Sequence, residues 1–69
     1  MDRTTARAEL EAITDGLDRY YQRIGGLVTT IATSDSREQL ADALASLHEV
    51  ERSLKSAERG LRRAVGLIR

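Results

Sequence analysis

The sequence predicts an all-α protein, an antiparallel hairpin of two helices of similar length. Proline, which interrupts helices, does not occur among the 69 residues, and the good helix formers Arg, Ala and Leu are the most frequent residues. Apolar residues recur at alternating spacings of three and four in two long stretches, and one polar segment, TSDSREQ, separates these stretches. Two helices joined by a short polar turn form an αα-hairpin.

The first helix is predicted over about residues 4–33. Its apolar seam has the spacing of helices packed side by side, and it consists of Leu10, Ile13, Leu17, Tyr20, Ile24, Leu27 and Ile31. The phase of this seam is unchanged across Gly25 and Gly26, although two glycines inside a helix cost about 2 kcal/mol relative to two alanines. We therefore expect both glycines to lie inside one continuous helix.

A second stripe lies beside this seam and widens the apolar surface of the first helix. It is formed by Tyr21, Gly25, Val28 and Ala32. Two interpretations of the glycines remain open: they are tolerated surface positions, or they form a notch in which another helix packs closely. The stripe is the candidate face for a protein partner.

A turn is predicted at about residues 34–36, because Ser and Asp side chains compete for backbone hydrogen bonds and favour N-cap positions. Two pairs have the spacing of a capping box, Ser36 with Gln39 and Asp35 with Glu38. The second helix is therefore predicted over about residues 36–68. Its seam alternates mostly Leu with small residues and consists of Leu40, Ala43, Leu47, Val50, Leu54, Ala57, Leu61, Ala64 and Ile68.

The chain forms a single domain, residues 1–69, and we expect it to enlarge its core by self-association. A domain of this size buries little surface, and without cysteine it has no disulfide to stabilise it. Further apolar residues flank the seams, at Tyr21, Val28, Leu44, Val65 and Leu67. A second copy would cover this surplus, so a homodimeric four-helix bundle is predicted, with the large seam residues as its interface.

No residue pattern indicates catalysis, a cofactor or a small-molecule substrate. The single histidine, His48, lies off the seam, where we expect it to be solvated, with no carboxylate partner on its helix face. One imidazole does not make a metal site, and no segment has the spacing of a phosphate-binding loop. No apolar run reaches the roughly 18–20 residues that span a bilayer. The N-terminus has no apolar signal core, so a cytoplasmic protein is expected.

Charge is distributed unequally along the second half of the chain, although the formal net charge is zero. Residues 35–51 carry five acidic side chains and one basic one, whereas residues 52–69 carry six basic and one acidic. This dipole favours a dimer whose two turns lie at opposite ends. The candidate anion-binding residues, on the outer face of the second helix and at its end, are Arg52, Lys55, Arg59, Arg62 and Arg63. The alternative is a solvated face that suits the C-terminal end of the helix dipole.

Two functions remain open from the sequence. The first is a non-enzymatic adaptor or regulator that binds itself and another protein. The second is a small nucleic-acid-binding regulator, in which the basic stripe would contact phosphates. The expected topology and the alternating Ala and Leu seams resemble the Rop type of dimeric helical hairpin, without a shared motif. That resemblance implies a four-helix bundle.

Overall fold

A computed structural model describes all residues, 1–69, and shows two antiparallel α-helices with no strand. The first helix, α1, spans Arg3–Ala32, and the second, α2, spans Ala41–Leu67. The helices pack against each other in a rod with extents of 51 × 14 × 14 Å. The predicted all-α hairpin is confirmed.

The first turn of α1 is capped by Asp2. Its carboxylate accepts a hydrogen bond of 2.8 Å from the backbone N–H of Thr5. Hydrogen bonding from the backbone of Thr5, and to a smaller extent from its side chain, favours the ionised carboxyl. It holds the pKa of Asp2 below its ordinary value. The N-cap satisfies one of the free N–H groups at the start of the helix.

Gly25 and Gly26 lie inside α1, which is continuous through them. No residue of the chain has a positive φ, so neither glycine adopts a conformation that other residues avoid. Their carbonyls accept additional hydrogen bonds of 3.1 Å and 2.9 Å from the hydroxyls of Thr29 and Thr30. The unbroken phase of the apolar seam therefore predicted the backbone here correctly.

The second helix begins at Ala41, five residues later than its predicted start at Ser36. Neither capping box forms, because the N-cap residue is Leu40 and no side chain bonds to the first N–H groups of α2. In the turn, the Ser34 hydroxyl donates to the carbonyl of Ile31 at 2.8 Å and accepts from the N–H of Ser36 at 3.2 Å. These bonds stabilise a turn, because they use backbone groups of Ile31 and Ser36 that would otherwise be available for helical hydrogen bonds.

The helices meet along a line of half-buried aliphatic residues that runs through both predicted seams. The line is formed by Leu10, Leu17, Ile24 and Ile31 on one arm and by Leu47, Leu54, Leu61 and Ile68 on the other. Most of the other buried or half-buried residues lie on one side of this line, and they include Thr14, Tyr21, Val28, Leu44, Glu51, Glu58 and Val65, whereas Ala64 lies on the other side. On the opposite side, each seam stays largely exposed.

The hairpin has a very small core. Val28 is its only buried apolar residue, and Thr14 and Glu58 are its only buried polar ones. The accessible surface is 5278 Å², whereas a compact monomer of 7.6 kDa exposes about 4,300 Å². The radius of gyration, 15.8 Å, also exceeds the value of about 11 Å for a compact chain of this length. A single hairpin therefore exposes an excess of about 1,000 Å².

Candidate interaction faces

The contact line between the helices divides the surface of the hairpin into two faces. On one side, Tyr21 and Lys55 touch, with Lys55 Nζ 4.3 Å from the centroid of the ring. Since successive helical residues are about 100° apart, Tyr20 and Val50 fall on the other side. We call the first side the charged face, with Tyr21, Glu51, Arg52, Lys55, Arg59 and Arg62. The apolar face consists of Ile13, Tyr20 and Leu27 from α1 and Ala43, Val50, Ala57 and Ala64 from α2.

The apolar face exposes large side chains that a stable core would cover. The exposed fractions are 52% for Ile13, 58% for Tyr20, 50% for Leu27 and 41% for Val50. Tyr20 and Leu27, together with Arg23 and Ile24, border an open hollow of about 410 Å³. The surface is therefore both apolar and uneven, as the surface of one layer of a helical bundle is.

The structure divides the predicted seam between two environments. The half-buried members are Leu10, Leu17, Ile24, Ile31, Leu47, Leu54 and Leu61. The exposed members are Ile13, Tyr20, Leu27 and Val50 on the apolar face, and Leu40 in the turn. The first group joins the two helices, and the second group is free to contact another molecule.

The predicted partner stripe lies largely in the contact between the two helices. Val28 is buried, Tyr21 is half-buried beneath Lys55, Gly25 is half-buried, and Ala32 is exposed. A Cβ atom at Gly25 would lie 3.7 Å from Glu51 Oε2, which is an ordinary contact, and one at Gly26 would have no neighbour within 4 Å. Neither glycine is required for the close approach of α1 to α2.

The charged face contains a groove that is lined mostly by basic side chains. Its volume is about 570 Å³, and it is lined by Tyr21, His48, Glu51, Arg52, Lys55 and Arg59. Arg62 lines a smaller hollow near Thr14. Arg63 is exposed and borders neither hollow. The structure thus brings together three of the five candidate anion-binding residues and places a fourth beside them.

Acidic side chains partly neutralise this face. Arg52 lies 4.0 Å from Glu49, and both side chains are more than three-quarters exposed. No carboxylate lies within 4.0 Å of Arg59. Arg59 is therefore the cation on this face with the most freedom to bind an external anion.

Glu58 is the only fully buried side chain of the molecule, a position that the sequence analysis did not identify. Its Oε2 lies 3.3 Å from Arg62 Nη2 and 4.0 Å from Lys55 Nζ, and both cations remain partly exposed. Its Oε1 has no hydrogen-bond partner. Lys55 and Arg62 lie three residues before and four residues after Glu58, and residues at these spacings share one helix face. This spacing could have predicted the two ion pairs from the sequence.

The expectation that His48 has no carboxylate partner on its helix face is wrong. Its Nδ1 lies 3.3 Å from Glu51 Oε1, three residues further along α2. The side chain of His48 is 62% exposed, whereas that of Glu51 is 19% exposed. The histidine is solvated, as expected, but it covers a carboxylate at the edge of the helix contact.

No three His, Cys, Asp or Glu side chains lie close enough together to hold a metal ion. Neither helix has a stretch that is both long and apolar enough to cross a membrane. No family profile, curated protein or solved structure matches the chain.

Proposed function

We propose that this protein is a non-enzymatic interaction protein, an adaptor or regulator that acts through protein–protein contacts and assembles as a homodimeric four-helix bundle. The exposed apolar face carries the proposal. Its large residues in α1 recur every seven positions, at Ile13, Tyr20 and Leu27, and Val50 lies in the matching row of α2. A seven-residue repeat of exposed apolar side chains is typical of a helix that packs against another helix.

The area of the exposed excess supports a dimer. A stable interface buries about 800 Å² on each partner, and the hairpin exposes about 1,000 Å² more than a compact monomer of its mass. Monomers rarely expose a contiguous apolar patch larger than a few hundred Å². A second hairpin on the apolar face would supply the missing neighbours of both helices and leave the charged face free for another protein.

Sedimentation equilibrium tests the dimer. The wild-type chain is expected at twice 7.6 kDa at micromolar concentration. Tyr20→Glu places a charge in the proposed interface, where an unpaired charge is costly, so it should shift the mass towards 7.6 kDa. Gln22→Glu adds the same charge at an exposed position two residues away and should leave the mass unchanged. A wild-type chain that stays monomeric at 100 μM would overturn the proposal.

A second candidate function, binding of nucleic acid, is favoured by one observation. The groove of the charged face brings Arg52, Lys55 and Arg59 together, and Arg62 extends the row. Phosphates neutralised by four cations would release counterions, so affinity should fall about 100-fold between 50 and 200 mM salt. Docking of an apolar protein surface has no such dependence.

Fluorescence anisotropy with a labelled RNA or DNA duplex tests this second function. Binding that weakens steeply with salt would support it. Arg59→Gln should then reduce the slope of log affinity against log salt concentration by about one, the value for one phosphate contact. Arg37→Gln, in the exposed turn, is the matched control. If no binding occurs at 50 mM salt, the charged face does not serve nucleic acid.

A further inference from the structure

We infer that the second copy packs on the apolar face in the antiparallel orientation, so that α1 covers α1, α2 covers α2, and the two turns lie at opposite ends of the bundle. The inference rests on the proposed dimer and specifies its partner helix by helix. It follows from the symmetry of a dimer, from the register of the hairpin and from the distribution of charge.

Two symmetric arrangements cover the apolar face. If the two-fold axis runs parallel to the helices, α1 lies over the partner's α2 and both turns are at the same end. If the axis runs across the helices, α1 lies over α1, α2 lies over α2, and the turns are at opposite ends. Both are isologous contacts, since the same face serves both subunits.

The register of the hairpin allows the crosswise axis without any offset between the subunits. Tyr21 lies opposite Lys55 and Gly25 lies opposite Glu51, so Tyr20, the middle of the α1 row, is level with residues near Ser56. The α2 row of the apolar face runs from residue 43 to residue 64 and has its middle between residues 53 and 54. At 1.5 Å per residue, the two middles differ in height by about 4 Å. One two-fold axis across the helices therefore passes near the middle of both rows, and the partner covers both rows along their length.

The charge distribution selects between the two arrangements. The turn and the first part of α2, residues 35–51, carry five acidic side chains and one basic one, and residues 52–69 carry six basic and one acidic. With the turns together, each α2 would lie over the partner's α1 and diagonally across the bundle from the partner's α2, so the acidic and basic segments would not come alongside each other. With the turns apart, α2 lies along the partner's α2, and the acidic side chains of its first half that lie off the charged face, Asp42 and Glu49, come alongside the basic end of the partner's α2, which carries Arg63. Single exposed pairs contribute little, but several together decide between orientations of similar packing.

The distance between the two turns in the intact dimer tests the orientation. The chain has no cysteine, so Gln39→Cys, exposed in the turn, gives one spin label per subunit. Electron paramagnetic resonance should find the labels about 40–50 Å apart, one helix length. A distance below about 30 Å would place the turns together and overturn the inference, because labels at the same end are separated only by the width of the bundle.

A control label and the mass separate failure of this inference from failure of the proposed function. Gln22→Cys, exposed near the middle of α1, should give a distance below about 30 Å in either arrangement, since a mid-height label measures only the width of the bundle. Dimeric mass with a short turn-to-turn distance overturns the orientation alone. Monomeric mass of the labelled and unlabelled chains overturns the dimer and the orientation together.

Discussion

Glu58 is a fully buried charged residue within the contact between the helices, next to Leu54 and Leu61 in α2. A buried carboxylate oxygen without a partner costs about 1–3 kcal/mol, and Oε1 is in this state. The cations on the other oxygen, Lys55 and Arg62, are partly hydrated and lose little when the carboxylate is removed. The buried carboxylate of Glu58 therefore makes the contact between the helices less stable than an apolar side chain would at this position.

Replacement of Glu58 by methionine should stabilise the hairpin. Methionine is unbranched, has a similar length and brings no polar atom into the contact, and exchange of a buried ionic group for an apolar one is often stabilising by about 1–4 kcal/mol. Urea unfolding should therefore give a free energy of unfolding that is higher by about 1–3 kcal/mol. Glu49→Met, whose side chain is 76% exposed, should change it by less than about 0.5 kcal/mol. A lower stability of the Glu58→Met variant would mean that the ion pairs outweigh the burial.

The N-cap makes the stability of α1 depend on acid. Because hydrogen bonding lowers the pKa of Asp2 in the folded chain, the ionised carboxyl stabilises the fold above the ordinary pKa of an aspartate. This contribution is lost as the pH falls through the lowered pKa. Asp2→Asn keeps a capping oxygen without the charge, so thermal unfolding should show similar stability of both chains at neutral pH. In acid, the wild-type chain should lose more stability than Asp2→Asn. An equal acid loss in both chains would contradict this.

At the scale of the helices, the sequence determined their number, type and approximate extent. The phase of the seam through Gly25 and Gly26 was sufficient to exclude a break in α1. The start of α2 was placed too early, since the side-chain bonds of Ser34 to Ile31 and Ser36 are local alternatives of similar energy to a capping box. Residue type alone does not distinguish the two.

The central glycines give a direct test of the helix. Gly26→Ala should raise the free energy of unfolding by about 0.8–1 kcal/mol, because alanine loses less backbone entropy in a helix and its Cβ would have no neighbour within 4 Å. Ala12→Gly, at an exposed position of the same helix, should lower it by a similar amount. Chemical denaturation of both variants measures the two changes. A destabilising Gly26→Ala would indicate that another molecule packs against this position.

At the scale of the whole molecule, the predicted seams contain more apolar residues than the contact between α1 and α2 covers. Apart from Leu40, which lies in the turn, every seam residue is either in the contact between the helices or on the exposed apolar face. The direction in which α1 and α2 turn towards each other was not predictable, because Tyr20 and Tyr21 are equally suited to face α2. That direction is seen in the burial of Val28 and Glu58, which the spacing of either helix does not encode.

Association should make thermal stability depend on concentration. When folding is linked to dimerisation, mass action stabilises the folded state as the protein concentration rises. Circular dichroism melts of the wild-type chain at 5 and 500 μM should therefore differ by several degrees, with the higher melting temperature at the higher concentration. The Tyr20→Glu variant should melt at a temperature independent of concentration. A wild-type midpoint that is constant over this range would contradict linked dimerisation.

The division of the hairpin into two faces has an evolutionary consequence. Tyr20 and Tyr21 are adjacent in sequence, yet one is on the apolar face and the other on the charged face. No side chain belongs to both faces, because the line of aliphatic residues lies between them. In the proposed dimer, substitutions in the charged face would alter recognition of a partner while the subunit structure is retained, and substitutions in the apolar face would alter the subunit structure while recognition is retained. On this proposal, a chain of 69 residues would have two properties on which selection can act independently.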